Sequence, residues 1–506
     1  VKREVWGVRG EGVRGRREGE RERGREGEKE RRREGEKERR RDDLINIKIM
    51  VRIEGYSNIY MIGIGGIGMS ALARYFIAGG WHVVGYDRIE TRLTGELERE
   101  GVDIHYNEQP EMVEAIYQNP GETLVVYTPA IPEDHSELEY FRQEGFTVLK
   151  RSEVLGMLSA GHRCIAVAGT HGKTTISTLI AHLLNVADIP SLAFLGGISK
   201  NYNTNALINK ASEWIVAEAD EFDRSFLRLF PDKAIVTSCD PDHLDIYGNK
   251  EMMEVSFRQF ISQVRSGGDI IIKKEIESLA SGKDDARIFT YSLHPGADFF
   301  AVKIERSGDG YRFNLHTPRS MITGLRTGFP GLVNVENAIA VAALGDIMGT
   351  GEKVIRKTLE TFRGVKRRFD IHINRDDVVY IDDYGHHPKE LESFIRSVRA
   401  LYPGRKITGI FQPHLYTRTR DFAEGFAQSL SELDELILLE IYPARELPIK
   451  GISSDIIFRK VSLDNKKLCS KKNLMDELRN MKPDVLLTMG AGDIDIFVEP
   501  IINLLS

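Results

Sequence analysis

The segment Cys164–Leu184 reads CIAVAGTHGKTTISTLIAHLL: an apolar run, a short glycine-containing loop and a helix-compatible stretch. Such a loop is suited to cradling phosphate. Gly169 and Gly172 expose backbone N–H groups, Lys173 can reach the outer phosphates, and the Thr174 hydroxyl can ligate Mg2+. The spacing departs from the usual phosphate-loop pattern, because Val167 stands where the first glycine would be. Downstream, WIVAEADEFD ends a buried run at Glu218, an acid placed to face Mg2+ beside that loop. The alternative for Glu218, Asp220, Glu221 and Asp223 is a solvated acidic loop. A third apolar run, AIVTSC, delivers DPDHLD, in which His243 is a candidate second metal ligand or an orienter of a carboxylate. A lone histidine is ordinarily structural; here it follows a buried strand next to two other phosphate-site strands.

A second glycine turn lies upstream. Asn58–Ile64 reads as a short buried strand, GIGGIG supplies Gly63, Gly65, Gly66 and Gly68, and MSALARYFIAGG reads as a helix closed by glycines. Strand, turn and helix in that order are the context in which G-x-G-x-x-G holds a diphosphate at a helix N-terminus. Asp87, closing the next strand, Trp81–Tyr86, stands where a dinucleotide fold binds ribose. One alternative is a turn needed only for packing. Another is a nicotinamide cofactor and an NAD-dependent dehydrogenase, which leaves the Lys173 loop and the acidic cluster unexplained. A non-catalytic nucleotide sensor is a third, and nothing in the sequence points to a lost catalytic group. Near the C-terminus, Asp382–Asp383 and His386–His387 sit just past the end of a strand, where ligands bind in open α/β sheets. A satisfied loop feature is the alternative for the histidine pair, and a surface salt bridge for Arg368 in the basic run Lys366–Arg368.

These residues require elements to hold them. TLVVYTPAI (Thr123–Ile131) extends the first parallel sheet. After an apolar helix around Asn337–Met348 and a basic, hinge-like segment (Phe362–Asp370), strands and helices alternate. DVVYIDDY, a helix from Pro388 to Leu401, KITGIFQP, a helix near Arg420–Leu430, ELILLEIY and DVLLTMGAGDI follow in turn. That alternation argues for a further parallel α/β sheet.

The segments GIGGIGMSALA, GTHGKTT, EADEFDRSF, DHLDIYG, GLVNVENA, DDYGHHP and QPHLYTRTRDF, in this order, resemble the Mur ligase family from about Asn58 to the end. The resemblance implies an α/β protein of three domains: a Rossmann-like UDP-sugar-binding domain over 50–151, a central P-loop-type ATPase domain over 152–362, and a C-terminal Rossmann-like domain over 363–506. It implies ATP-dependent ligation of L-alanine to the lactyl carboxylate of UDP-N-acetylmuramate through an acyl phosphate, in peptidoglycan precursor synthesis, with ATP and Mg2+ as cofactors. A family relative that adds a ready-made tripeptide to the same nucleotide is the rival, but its DDYGHHP segment typically carries Phe-Ala in place of Tyr384–Gly385. Carried over by motif, ATP would meet Gly169, Thr170, His171, Gly172, Lys173, Thr174 and Thr175, with Asn334 and Asn337. Lys173, Glu218, His243, Arg368 and Asp383 would be catalytic, and Thr174, Glu218 and His243 would hold the metal. The UDP-sugar would meet Gly63, Gly65, Gly66, Gly68, Met69, Ser70 and Asp87, with His386, His387, Arg418 and Arg420 facing the muramate or amino acid. The sequence departs from the family pattern at Val333 (often histidine), Leu415 (arginine) and Ser238 (asparagine).

Composition bounds the rest. The 506 residues are 41% hydrophobic and 29% charged, enough for sizeable cores. Residues 1–43 hold 17 basic and 13 acidic side chains, against 53 and 63 in the remainder, so the globular part is acidic. That balance argues against nucleic acid as a partner. The tail, 1–49, is expected to be disordered. It lacks a signal-peptide pattern, and with Val at its start and the first methionine at Met50 it reads as a misplaced start or translated non-coding stretch. No run is long enough for a membrane span. Cys164, Cys239 and Cys469 lack metal or disulfide spacing, which fits a reducing, cytoplasmic setting. A monomer or weak homodimer is expected.

Overall fold

The computed structural model describes residues 53–506 apart from 111, 112, 114–116, 242, 243, 309 and 445. The tail expected over 1–49 and the candidate ligand His243 lie outside the described residues. The chain divides into two units, Val1–Ser57, in which Ile53–Gly55 is a single 3-10 turn, and Asn58–Ser506, which holds three sheets.

The first sheet is wholly parallel, in the order β3-β2-β1-β4-β5. Its strands are β1 (Asn58–Ile62), β2 (His82–Tyr86), β3 (Asp103–His105), β4 (Thr123–Tyr127) and β5 (Thr147–Lys150). β1 is buried along its whole length, as a central parallel strand covered on both faces must be, and its sequence NIYMI accordingly shows no polar alternation. The strand order reverses between β1 and β4. The crevice beyond the C-terminal ends at such a point is where an open sheet takes its ligand. The glycine turn after β1 and the loop Thr128–Ala130 after β4 flank it.

The central sheet has ten strands, in the order β15-β14-β13-β12-β11-β10-β6-β9-β7-β8. They are β6 (Arg163–Ala168), β7 (Ser191–Ser199), β8 (Thr204–Leu207), β9 (Trp214–Ala219), β10 (Lys233–Val236), β11 (Asp269–Lys273), β12 (Arg287–Ser292), β13 (Phe299–Ser307), β14 (Gly310–His316) and β15 (Met321–Arg326). β6 lies between β9 and β10, all three parallel, so the phosphate loop, Glu218 and Ser238 emerge side by side. No motif anticipates an element over 299–326, yet β13–β15 form an antiparallel extension there. Its signal is the alternation of buried Phe313 and Leu315 with less buried Arg312, Asn314 and His316, typical of a sheet solvated on one face. The helices Lys173–Val186 and Leu332–Met348 pack over this sheet, with Ile176, Leu179, Ile180, Val335 and Ile339 in one core.

The third sheet runs β16-β17-β21-β18-β19-β20, with only β16 antiparallel to its neighbour. It comprises β16 (Asp370–Asn374), β17 (Val379–Asp383), β18 (Ile407–Phe411), β19 (Glu435–Leu438), β20 (Lys466–Leu468) and β21 (Val485–Met489). The segment leading into it is stitched to β7: Lys366 N donates to Ile198 O (2.9 Å) and Lys200 N to Gly364 O (3.0 Å). No helix among the described residues is long and apolar enough to cross a membrane, and all three cysteines are free and buried.

Phe362, fully buried just before that segment, meets Phe329 edge-on at 5.0 Å and the His182 ring at 5.9 Å. Truncating a buried aromatic leaves a cavity, so Phe362→Ala is expected to cost about 3–5 kcal/mol. A urea titration followed by intrinsic fluorescence measures it, and an unshifted midpoint would show that this corner is not part of the cooperative core.

Candidate active site

β6 is fully buried but for its first residue, and it ends in a loop whose backbone only glycine adopts easily. Gly169 has φ +136°, and a Cβ there would stand 1.9 Å from Thr237 Oγ1. Gly172 is the left-handed N-cap of the Lys173–Val186 helix, and no side chain caps that N-terminus. A helix start in this condition favours an anion. Thr237 Oγ1 donates to His171 O (2.5 Å), and His171 N donates to Ser238 Oγ (3.0 Å), so the strand-end residues of β10 shape the loop. The serine that departs from the family pattern thus accepts a loop hydrogen bond.

Lys173 Nζ donates to Gly169 O (2.7 Å) and to Glu221 Oε2 (2.6 Å). Burial by itself would lower the ammonium's pKa, but Glu221 and Asp220 outweigh it and hold Lys173 protonated. Glu218 points the other way. Its carboxylate accepts from Gly196 N (2.6 Å), Ser177 Oγ (3.0 Å) and Thr174 Oγ1 (3.2 Å). A Cβ on Gly196 would lie 2.5 Å from Glu218 Oε2, so a glycine is needed for the approach.

Two cavities flank the loop. The larger, about 630 Å3, lies between the central domain and the C-terminal one. Its wall includes His171, Gly172, Thr174, Thr175, Asn334 and Asn337 from one side, and Arg368, Asp383, Lys389 and Glu390 from the other. Tyr291, Leu293, Leu332 and Val333 supply apolar surface, so the valine at the family's histidine position keeps that wall apolar. The smaller, about 380 Å3, opens between the first domain and the central one. Gly66, Gly68, Met69 and Arg151 face Thr170, Lys173, Glu218 and His386 across it. Gly172, Thr174, Arg368 and Glu390 line both cavities.

Asp383, at the end of β17, accepts from Phe369 N and Gly385 N, each at 2.7 Å. Burial pushes its carboxyl up to about 6 against the pull of Arg368 and these two N–H groups. Arg368 lies over the Tyr384 ring at 4.9 Å and 3.9 Å from Glu390 Oε1. Asn337 Nδ2 donates to Asn334 Oδ1 (3.0 Å), which fixes the pair at the cavity wall.

The remaining sequence-derived candidates make these contacts within the protein. Asp87 accepts from Gly65 N (2.8 Å) and so fastens the glycine turn. Gly63 N donates to Tyr86 O (2.8 Å), which holds the turn to β2. Ser70 is buried against the central domain through Asn205. His387 is the N-cap of the Pro388–Leu401 helix in a capping box with Glu390, its ring 4.9 Å from Phe422. Arg418 is buried, and Arg420 pairs with Asp421 at the surface. Leu415 is buried at φ +68° just before the Tyr416–Leu430 helix. Site residues without an anticipated role are Glu390, Lys389 and Arg151. The first had a signal, since His-Pro-Lys-Glu has capping-box spacing; Arg151 had none, because only the folding of the first sheet, which sets the end of β5 near the turn after β1, brings it to Gly68.

Family models match the chain as Mur ligase family catalytic domain over 58–163, Mur ligase middle domain over 167–345, and Mur ligase glutamate ligase domain over 367–492. The UDP-N-acetylmuramate–L-alanine ligase of Parabacteroides distasonis is 51% identical over 447 residues, 88% of this chain and 97% of its own. That of Phocaeicola vulgatus is 48% identical over 450 residues, 89% and 98% respectively. Among solved structures, the UDP-N-acetylmuramate-alanine ligase of Thermotoga maritima matches with a TM-score of 0.74 at 27% identity, over 88% of this chain and 98% of that one. A murein peptide ligase from Psychrobacter arcticus matches with a TM-score of 0.66 at 22% identity, over 89% and 98%, a likeness of fold alone.

His171 joins the two domains that form the larger cavity. Its Nδ1 is 3.3 Å from Glu390 Oε1 and its Nε2 3.5 Å from Asp240 Oδ2, while Lys389 pairs with Asp240. Burial would lower the imidazole's pKa, but the adjacent carboxylates of Asp240 and Glu390 raise it to about 9. A raised folded-state pKa stabilises fully below the unfolded value of 6.5 and loses that contribution as pH rises through about 9. The gap in thermal midpoint between wild type and His171→Gln should therefore be widest below 6.5 and close across that window. A pH-independent gap would contradict the charged pairing.

Proposed function

The chain belongs to the Mur ligase family, and from that premise we propose that it joins L-alanine to the lactyl carboxylate of UDP-N-acetylmuramate with cleavage of ATP. The observation that carries this reading is the meeting of the two cavities at Gly172, Thr174, Arg368 and Glu390. One cavity takes ATP and the other the UDP-sugar, so the γ-phosphate and the lactyl carboxylate can meet beside the Lys173 loop. A dehydrogenase needs no second nucleotide. Near-full coverage of relatives named for the alanine reaction supports alanine over a tripeptide.

A carboxylate is a poor acyl donor, because oxide is a poor leaving group. A lactyl oxygen attacks the γ-phosphorus of ATP, the bond to the bridging oxygen breaks, and an acyl phosphate and ADP result. The alanine amine then attacks the acyl carbon, loses a proton, and the C–O bond to phosphate breaks. Negative charge grows on the transferring phosphoryl group, and preorganised cations are the main means of stabilising it. Lys173 and Arg368 supply that charge, Asn334 and Asn337 hold the nucleotide, and Asp383 fixes the segment that bears Arg368. The first turn of the Ile67–Gly79 helix receives the UDP diphosphate, and His386 faces the sugar side of the junction. The Thr174 hydroxyl and Glu218 carboxylate are an all-oxygen pair that fits Mg2+, which takes few protein ligands alongside phosphate. Bound there, Mg2+ would neutralise phosphate charge. Water must be kept from the acyl phosphate, and the C-terminal domain's wall over the larger cavity serves this end.

Phosphate release measured with each substrate omitted in turn tests the reading. An appreciable rate is expected only with ATP, UDP-N-acetylmuramate and L-alanine together. Lys173→Ala should lose about 10²-fold or more in kcat, the scale of one preorganised electrostatic contact, in addition to the stability cost of leaving Glu221 without its partner. Much faster incorporation of a tripeptide would reassign the substrate, and NAD reduction without ligation would overturn the reading.

A further inference from the structure

Asn205 belongs to β8 of the central sheet, yet its fully buried side chain reaches across to the Ile67–Gly79 helix of the first domain. Its Nδ2 donates to Ile67 O (2.6 Å) and Ser70 Oγ (2.9 Å), and its Oδ1 accepts from the Arg74 guanidinium. Ser70 Oγ donates to the same Ile67 carbonyl (3.0 Å). Arg74 is itself held by Glu100, through Nε at 2.9 Å and its terminal nitrogen at 2.7 Å. The helix turn secured in this way follows Gly66, an N-cap with no side-chain cap, and its Gly68 and Met69 line the smaller cavity.

The β7–β8 hairpin that carries Asn205 touches the other half of the site as well. Gly196 of β7 donates its N–H to Glu218, and Ser199 of β7 bridges to Val365 at the entry to the C-terminal domain. One hairpin therefore contacts both the first turn of the Ile67–Gly79 helix and the carboxylate beside the Lys173 loop. We propose that Asn205 is a positioning residue for the UDP-sugar: it fixes the first turn of the Ile67–Gly79 helix against the central domain, so that the bound diphosphate presents the lactyl carboxylate to the Lys173 loop. The proposal rests on the reading of the smaller cavity as the UDP-sugar site. A purely structural buried amide would need its hydrogen bonds satisfied anywhere. This one spends both donors on the turn at the cavity mouth.

The test is steady-state kinetics on the full chain, together with calorimetric titration of UDP-N-acetylmuramate alone. Asn205→Ala removes all three contacts. Asn205→Asp, of the same shape, keeps the acceptor for Arg74 and loses both donors, and it serves if the alanine variant folds poorly. Both are expected to raise the KM and Kd for UDP-N-acetylmuramate about tenfold or more, the scale of losing one well-placed hydrogen bond to a charged diphosphate. The KM for ATP should stay within about twofold, because the Lys173 loop is untouched. Asn201→Ala, which loses contacts of the same hairpin to Thr361 and Arg363, should leave both constants at wild-type values. Equal rises for both nucleotides, full recovery in Asn205→Asp, or an Asn201→Ala effect as large as that of Asn205→Ala would each overturn the proposal. A wild type that binds no UDP-N-acetylmuramate would overturn the reading of the cavity and the proposal with it. A wild type that binds it, with Asn205 variants that bind equally well, would overturn the proposal alone.

Discussion

An ammonium group almost shut away from water governs this site. Lys173 stays charged because Glu221, itself only 1% exposed, lies 2.6 Å away. Removing one partner of such a buried pair strands the other charge and costs roughly 3–5 kcal/mol. The neighbouring geometry follows from that pairing. The end of β9 must deliver Glu221 beneath the loop while Glu218, three residues earlier, turns to Thr174 and Ser177. The carbonyl of Gly169 supplies Lys173 with a second acceptor, which the left-handed backbone at that glycine makes available. Tyr247 closes the arrangement from below by donating to Glu221 O at 2.6 Å.

The same logic of strand ends extends to the whole unit. Each of the three sheets brings loops from its C-terminal edge to a crevice, because parallel strands point their helix N-termini and loop residues the same way. The first sheet contributes a glycine turn, the central sheet a phosphate loop with its acids, and the third sheet Asp383 and the His386 loop. Arg368 and Glu390 stand where these meet, on the walls of both cavities. Charge is dense at the junction but locally balanced. Glu390 is held well below the usual carboxylate range: burial opposes this, and His386, His171 and Arg368 overcome it. A site in which anions and cations are already paired can accept phosphate with little reorganisation, which is the basis of electrostatic preorganisation.

The family departures fall where they do not disturb that balance. Val333 lies on the apolar side of the larger cavity. Ser238 offers in place of the amide a hydroxyl that bonds Thr170 Oγ1 (2.9 Å) and the His171 N–H. Leu415 is buried, with its N–H donated to Tyr442 O at 2.9 Å.

Much of this was legible in the sequence because the relevant signals are local. A glycine loop between an apolar strand and a helix announces a phosphate site within a dozen residues, and Pro388–Leu401 was bounded by its own proline and capping residues. The parallel strands showed as short apolar runs, since burial on both faces suppresses alternation. What only the tertiary structure decided is where side chains spend their hydrogen bonds once distant segments meet. Asp87, at the ribose position of a dinucleotide pattern, also fastens Gly65. Arg420, in the motif of a substrate contact, pairs with its neighbour Asp421 at the surface. Asn205 carries no motif and gains its place from the docking of one domain on another, while Arg151, also without a motif, gains its place where the end of β5 approaches the turn after β1. Sequence pattern reports which face of an element is buried; it holds no record of which buried group a polar atom will find, because that depends on segments more than a hundred residues apart, as Asn205 and Ile67 are.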